Sequence, residues 1–167
     1  KSDLEKAFKK LSINCVIHLA YINGTKYFYE KPIDVLNVGI KGIINVLELS
    51  KKYKIKKFFL ASSSEVYQKP AKVPTGENES LKVPNIYNPR YSYGAGKILS
   101  ELLVINYGRK FFKKSIIFRP HNVYSEDMGN EHVIPQFVKK IKNTTNKKIK
   151  IRGDGKEVRS FIHIDDF

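Results

Sequence analysis

Three short apolar runs punctuate the chain, and helical patterns lie between them. The runs are Cys15-Val16-Ile17-His18-Leu19-Ala20, Phe58-Phe59-Leu60-Ala61-Ser62 and Ser115-Ile116-Ile117-Phe118-Arg119. Continuous apolar runs of this length suit strands buried on both faces. Residues 33–53 carry apolar side chains at helical spacing (Val35, Val38, Ile43, Val46, Leu47, Leu49). A second helix is expected from about Ser92 to Tyr107, with Ile98, Leu99, Leu102, Leu103 and Val104 forming its apolar stripe. Strands that alternate with helices form a parallel sheet joined by right-handed crossovers. The expectation is therefore an α/β fold in which 13–20, 57–62 and 115–119 are neighbouring parallel strands.

In such sheets ligands sit beyond the carboxyl ends of the strands. The residues there are Ala20-Tyr21, Ser62-Ser63-Ser64-Glu65 and Pro120-His121-Asn122. Tyr93 and Lys97 stand four apart at the start of the second helix, so they share one of its faces. A nearby ammonium favours a phenolate, which predicts a Tyr93 pKa below its usual value near ~10. A tyrosine tuned in that way takes a proton from a hydroxyl near neutral pH.

The remaining elements are shorter. Residues 3–11 read as an amphipathic helix, 21–32 as an aromatic loop and 68–90 as a long polar loop with four prolines. Val133 to Ile141 reads as a helix, 148–152 as a half-exposed strand, and Ser160 to Ile164 as a last extended run. His18 reads as a structural strand residue. Gly94-Ala95-Gly96-Lys97 lacks the spacing of a phosphate-binding loop.

Composition narrows the function classes. The formal net charge is +15, but only five of the 31 basic residues are arginine (Arg90, Arg109, Arg119, Arg152, Arg159). Nucleic-acid readers favour arginine forks. Lysine spread over every polar face argues for a solvated surface, with no specific nucleic-acid partner. Cys15 is the single cysteine, so an internal disulfide is excluded. No run reaches the ~18 apolar residues of a membrane span. The reading is a cytoplasmic protein with no membrane partner and no metal ligand set.

Five motifs occur in order: His18-Leu19-Ala20; Ser62-Ser63-Ser64-Glu65-Val66-Tyr67; Tyr93-x-x-x-Lys97; Arg119-Pro120-His121-Asn122-Val123-Tyr124; and Gly153-Asp154-Gly155 followed by Arg159-Ser160-Phe161-Ile162-His163-Ile164-Asp165-Asp166. Together they resemble the NAD-dependent nucleotide-sugar epimerase/dehydratase family, the extended short-chain dehydrogenase/reductases. The resemblance implies part of a Rossmann-like doubly wound parallel sheet over residues 1–124. Residues 125–167 would begin a small substrate-binding region that returns to the core.

It also implies roles. Ser63, Tyr93 and Lys97 match the catalytic trio, and Ser64 and Glu65 are further catalytic candidates. Ala20, Tyr21, Asn37, Ser62, Tyr93, Lys97 and Pro120 match positions along NAD. Ser63, Asn122 and Arg159 match contacts to a nucleotide-diphosphate sugar, Arg159 to the diphosphate. Gln68 and Ser125 stand where the family usually has glycine. The opening strand and Gly-x-x-Gly-x-x-Gly are missing, so the chain reads as an internal piece of a longer enzyme, inactive alone and a homodimer when whole. The implied reaction is 4-epimerisation through a transient 4-keto sugar. The alternatives are a dehydratase or decarboxylase of the same family, or a sugar-nucleotide-binding fragment without turnover.

Overall fold

The structure is a computed structural model and describes residues 2–130, 132–145, 148–151 and 153–167. It divides into two compact units, residues 1–120 and 121–167.

The first unit contains α1 (Ser2–Lys10), β1 (Cys15–His18), α2 (Thr25–Glu30), α3 (Pro32–Leu36), a π-helical turn (Asn37–Lys41), α4 (Gly42–Lys52), β2 (Lys57–Ala61), α5 (Ser92–Phe111) and β3 (Lys114–Phe118). The strands form one parallel sheet in the order β1-β2-β3, with Val16 opposite Phe58 and Phe58 opposite Ser115. This is the expected α/β arrangement, and the central strand explains it. Side chains alternate across a strand, so Phe58 and Leu60 point together into a core with Ile43, Val46 and Leu47 of α4 and Val104 of α5. A second cluster of Phe8, Leu49 and Ile55 fastens α1 to α4.

Several elements depart from the sequence reading. β1 is an edge strand, not one buried on both faces, and Ile17 is 62% exposed. The expected loop 21–32 contains α2. That helix forms because Phe28 is buried against Val35 and Tyr93, while Gly24 opens it and Pro32 begins the next helix at a position that needs no N–H donor. The single long helix over 33–53 is interrupted by the π-turn. The buried stripe of α5 is Tyr93, Lys97, Ser100, Glu101 and Val104, whereas Leu99, Leu102 and Ile105 face outward.

The second unit contains β4 (Asn122–Tyr124), α6 (Val133–Lys142) and β5 (Phe161–His163), with β4 and β5 paired in parallel. Residues 122–124 thus group with this unit, whereas the motif reading placed them at the end of the first. The expected strand over 148–152 is absent at 148–151, and Arg152 lies outside the described residues. Alternation alone does not make a strand: the backbone needs a partner ladder. Here the carbonyls of Lys148 and Lys150 accept from the side chains of Thr144 and Lys140 instead. Gly153 and Gly155 both have positive φ (86° and 76°), as the expected turn requires.

Candidate active site

β2 ends at Ala61, and the chain then turns through Ser62, Ser63 and Ser64. Ser62 N–H donates to Phe118 O (2.8 Å) and Ser64 N–H to Pro120 O (3.0 Å). These two bonds tie the serine run to the end of β3. Adjacent residues on extended backbone face opposite ways, so Ser62 and Ser63 reach different partners. The Ser63 hydroxyl sits close to the Tyr93 phenol, and its Oγ accepts from Glu65 N–H at 3.2 Å. Ser62 Oγ donates to the Glu101 carboxylate. The donor of the Ser62 hydroxyl is thereby engaged within the protein, while its oxygen can still accept.

α5 aims Tyr93, Lys97 and Glu101 into the same space, one turn apart each. Tyr93 is stacked on Phe28 (ring centroids 5.0 Å, 18°) and meets Tyr21 edge-on (5.1 Å, 84°). Lys97 is 2% exposed and donates to Ala61 O at 2.7 Å. Its Nζ lies 4.3 Å from the Tyr21 ring centroid and 5.6 Å from that of Tyr93. The structure therefore brings Ser63, Tyr93 and Lys97 together, with Tyr21 against them. Ala20 and Asn37 are exposed on the first unit, Asn37 opening the π-turn.

The electrostatics differ from the sequence expectation. Burial raises the Tyr93 pKa; the Ser63 hydrogen bond pulls it down and the Glu65 charge pushes it up again. Lys97 does not lower it. That ammonium points at Ala61 O and Tyr21, and burial brings its own pKa down to about 8. His18 is held to about 4, first by burial and then by the Lys97 charge, so it stays neutral near pH 7. A buried neutral imidazole fits the structural role expected for it.

Two charged pairs flank the trio. Arg119 clamps Glu101 through Nε–Oε1 (2.9 Å) and Nη2–Oε2 (2.6 Å), and its Nη1 donates to Tyr67 Oη (2.7 Å) and Glu77 O (2.9 Å). Arg90 Nη2 donates to both oxygens of Glu65 at 3.0 Å, and its guanidinium lies over the Phe28 ring. Gln68 adopts φ 53°, the region a glycine holds without strain, and its amide caps Glu65 O. A Cβ on Gly94 would lie 2.9 Å from that same backbone oxygen, so only glycine fits there.

Sequence reasoning missed Phe28, Arg90, Glu101 and Arg119. Glu101 had a signal: it stands four residues after Lys97, on the face already marked by Tyr93. Asn122 and Arg159 belong to the second unit. Asn122 Nδ2 donates to Ser160 O at 2.9 Å, and the exposed Arg159 to Val158 O at 2.8 Å. A hollow of about 520 Å³ in that unit is lined by Lys139, Lys140, Lys148 and Lys150 and by none of the site residues. Among the described residues no helix is long and apolar enough to cross a membrane, and no metal-binding cluster occurs.

A parallel sheet with a Ser–Tyr–Lys cluster beyond its strand ends defines a Rossmann-type protein of the short-chain dehydrogenase/reductase class. More narrowly, the chain belongs to the NAD dependent epimerase/dehydratase family, whose profile matches residues 1–167. It is 35% identical, over 98% of its length, to a dTDP-D-glucose 4,6-dehydratase of Dictyostelium discoideum, covering 38% of that protein. It is 36% identical to a UDP-glucuronate 4-epimerase of Thermodesulfobacterium geofontis, covering 98% of this chain and 48% of the relative. The UDP-glucose 4-epimerase of Thermotoga maritima, solved with UDP-glucose, superposes with a TM-score of 0.84 at 27% identity, over 98% of this chain and 52% of that one. The chain thus spans about half the length of these relatives, or less.

NAD is the cofactor of this family, and the residues present fit its nicotinamide riboside half. Lys97 has three N–H donors, of which Ala61 O takes one, and the exposed Ala20 lies two residues beyond β1.

Proposed function

We propose that the full-length protein is an NAD-dependent nucleotide-sugar 4-epimerase working through a transient 4-keto sugar, with Ser63, Tyr93 and Lys97 as its catalytic residues. The observation that carries this reading is the burial of Ser63, Tyr93 and Lys97 together beyond the strand ends, with Lys97 Nζ 5.6 Å from the Tyr93 ring centroid. NAD would supply the hydride acceptor and donor for this chemistry, on a cationic nicotinamide ring. Tyr93 accepts the proton of the sugar 4-hydroxyl and later returns it. Ser63 donates to the sugar oxygen and holds it in line with the phenol. Lys97 offers its remaining donors to the ribose. Ala20, Tyr21, Asn37 and Pro120 lie along the cofactor. Asn122 and Arg159 contact the nucleotide-diphosphate sugar, the Arg159 guanidinium suiting a diphosphate.

The raised Tyr93 pKa means the phenol keeps its proton at pH 7 in the free protein. A cationic ring beside the phenol would lower that pKa, and Tyr93 would then give up its proton more readily.

Dehydratase and decarboxylase relatives share the fold, and the choice among them turns on what else can exchange protons. Ser64 has a hydroxyl where an acidic group would serve a leaving hydroxyl. Glu65 is tied through both oxygens to Arg90, with the Gln68 amide near one of them. A carboxylate held on two sides is poorly placed to shuttle protons for elimination, which supports epimerisation. The apolar outer stripe of α5 (Leu99, Leu102, Ile105), with Val38 and Ile44, supports a homodimer joined through these helices.

The test is incubation of the full-length protein with a panel of nucleotide hexoses. NMR of the products should show interconversion at C4 with no loss of water or carbon dioxide. A 6-deoxy-4-keto product or a pentose would replace this reading with dehydration or decarboxylation.

A further inference from the structure

Tyr21 carries a buried polar group that this mechanism leaves unused. Its hydroxyl oxygen is enclosed and has no hydrogen-bond partner among the described residues. An unsatisfied buried hydroxyl destabilises a fold, so its presence calls for a reason.

The geometry supplies one. The Tyr21 ring lies 4.3 Å from Lys97 Nζ, on an ammonium that also donates to Ala61 O at 2.7 Å. Lys97 is thus held between a carbonyl and an aromatic face, in a place almost closed to water. A cation over a ring is attracted most strongly when desolvated. The tip of the phenol is seated between two glycines. A Cβ on Gly39, in the π-turn, would collide with Tyr21 Cζ, and a Cβ on Gly96 would collide with Oη. Gly96 immediately precedes Lys97. Tyr21 therefore wedges the π-turn against the very turn of α5 that bears the ammonium, and its ring meets Tyr93 edge-on on the other side.

We propose that Tyr21 is a positioning residue for Lys97: its ring, locked between Gly39 and Gly96, holds the ammonium against Ala61 O, one helical turn after Tyr93. The inference rests on the reading of Lys97 as a catalytic residue. It assigns the Tyr21 ring, not its hydroxyl, as the working part. The hydroxyl acts only as the tip of the wedge.

The experiment uses the full-length protein with Tyr21→Leu, Tyr21→Phe, Lys97→Met and the double variant Tyr21→Leu/Lys97→Met. Turnover of the best nucleotide hexose should fall about tenfold in Tyr21→Leu and recover to within about threefold of the parent in Tyr21→Phe, which keeps the cation–π contact. In the Lys97→Met background, Tyr21→Leu should add less than about twofold, because residues that act through one another are not additive. Fully additive losses would show that Tyr21 serves packing alone and would overturn the proposal.

A second readout does not depend on turnover. Lysines are labelled biosynthetically with carbon-13 at Cε, and the Lys97 signal is identified by its loss in Lys97→Met. Ring-current shielding should displace that signal in the parent and in Tyr21→Phe, and the displacement should vanish in Tyr21→Leu. A Lys97 signal unmoved by Tyr21→Leu overturns the proposal. A parent without turnover but with the displaced signal would sink the catalytic reading of the trio and leave the Tyr21–Lys97 contact standing.

Discussion

Glu101→Gln isolates the charge of the buried pair behind the serine run. Glu101 is 2% exposed and receives two hydrogen bonds from Arg119 and one from Ser62. Removing one partner of a buried ion pair costs about 3–5 kcal/mol, mostly because the other charge is stranded. Two features reduce that here. The Arg119 side chain keeps 22% of its surface in water and retains Tyr67 Oη and Glu77 O as acceptors. Glutamine also keeps one acceptor oxygen. The expected loss is about 2–3 kcal/mol. At a urea slope of ~2 kcal/mol/M this lowers the unfolding midpoint by about 1 M. Urea titration followed by far-UV circular dichroism reads it directly. Replacing both partners, as Glu101→Leu/Arg119→Met, should recover most of the loss, since no charge is then stranded. A Glu101→Gln midpoint within experimental error of the parent would refute the pair as a stabilising element.

Three further outcomes are expected. Lys97 has its pKa depressed by burial to about 8 from 10.5. Between those values the unfolded chain binds more protons than the folded one, so stability rises with pH through that window. Lys97→Met should be the more stable form at pH 7, by on the order of 2–3 kcal/mol, and the difference should shrink by pH 10; a constant difference in urea melts across that range would contradict it. Gly94→Ala places a Cβ 2.9 Å from Glu65 O, a backbone atom, and should cost about 1–3 kcal/mol in the same melts. Leu102→Glu puts a charge on the apolar outer stripe of α5, where Leu102 is 53% exposed. If that stripe joins two copies, light scattering of the full-length protein should show a dimer for the parent and a monomer for the variant; two monomers would end the dimer proposal.

The sheet was legible because its strands are continuous apolar runs and its crossovers carry helical spacing. What escaped had specific physical causes. The helix at Thr25–Glu30 is only six residues long, half of them aromatic, and the burial of Phe28 against Val35 and Tyr93 makes it form. Local propensity does not report that. The π-turn at Asn37–Lys41 differs from an α-helix by one residue, and what packs on it is Tyr21, far away in sequence. In α5 the hydropathy pattern misled. The helix buries Lys97, Ser100 and Glu101 and exposes Leu99, Leu102 and Ile105, the reverse of the usual amphipathic rule.

The site was legible as a set of residue types at strand ends. Its electrostatics were not. Proximity of Tyr93 and Lys97 suggested a depressed phenol pKa, but Lys97 plays no part in the shift and burial raises it, which no sequence spacing encodes. The two arginine clamps were hidden for a similar reason. Arg90 stands in the long polar loop and Arg119 at the end of a strand run, and nothing in their spacing announces Glu65 and Glu101 as partners.

The most direct test of the account is Tyr93→Phe in the full-length protein, read as turnover against binding. Phenylalanine preserves the stack on Phe28 and removes the phenolic oxygen that Ser63 addresses. A positioned acid–base group contributes ~10²–10⁴-fold. Turnover of the best nucleotide hexose should fall by about that factor, while NAD and nucleotide-sugar affinity, measured by calorimetry, should stay within about threefold of the parent, as expected for a group that acts only in the transition state. Parental turnover in Tyr93→Phe would contradict the assignment of Tyr93 as the proton acceptor, and with it the proposed mechanism.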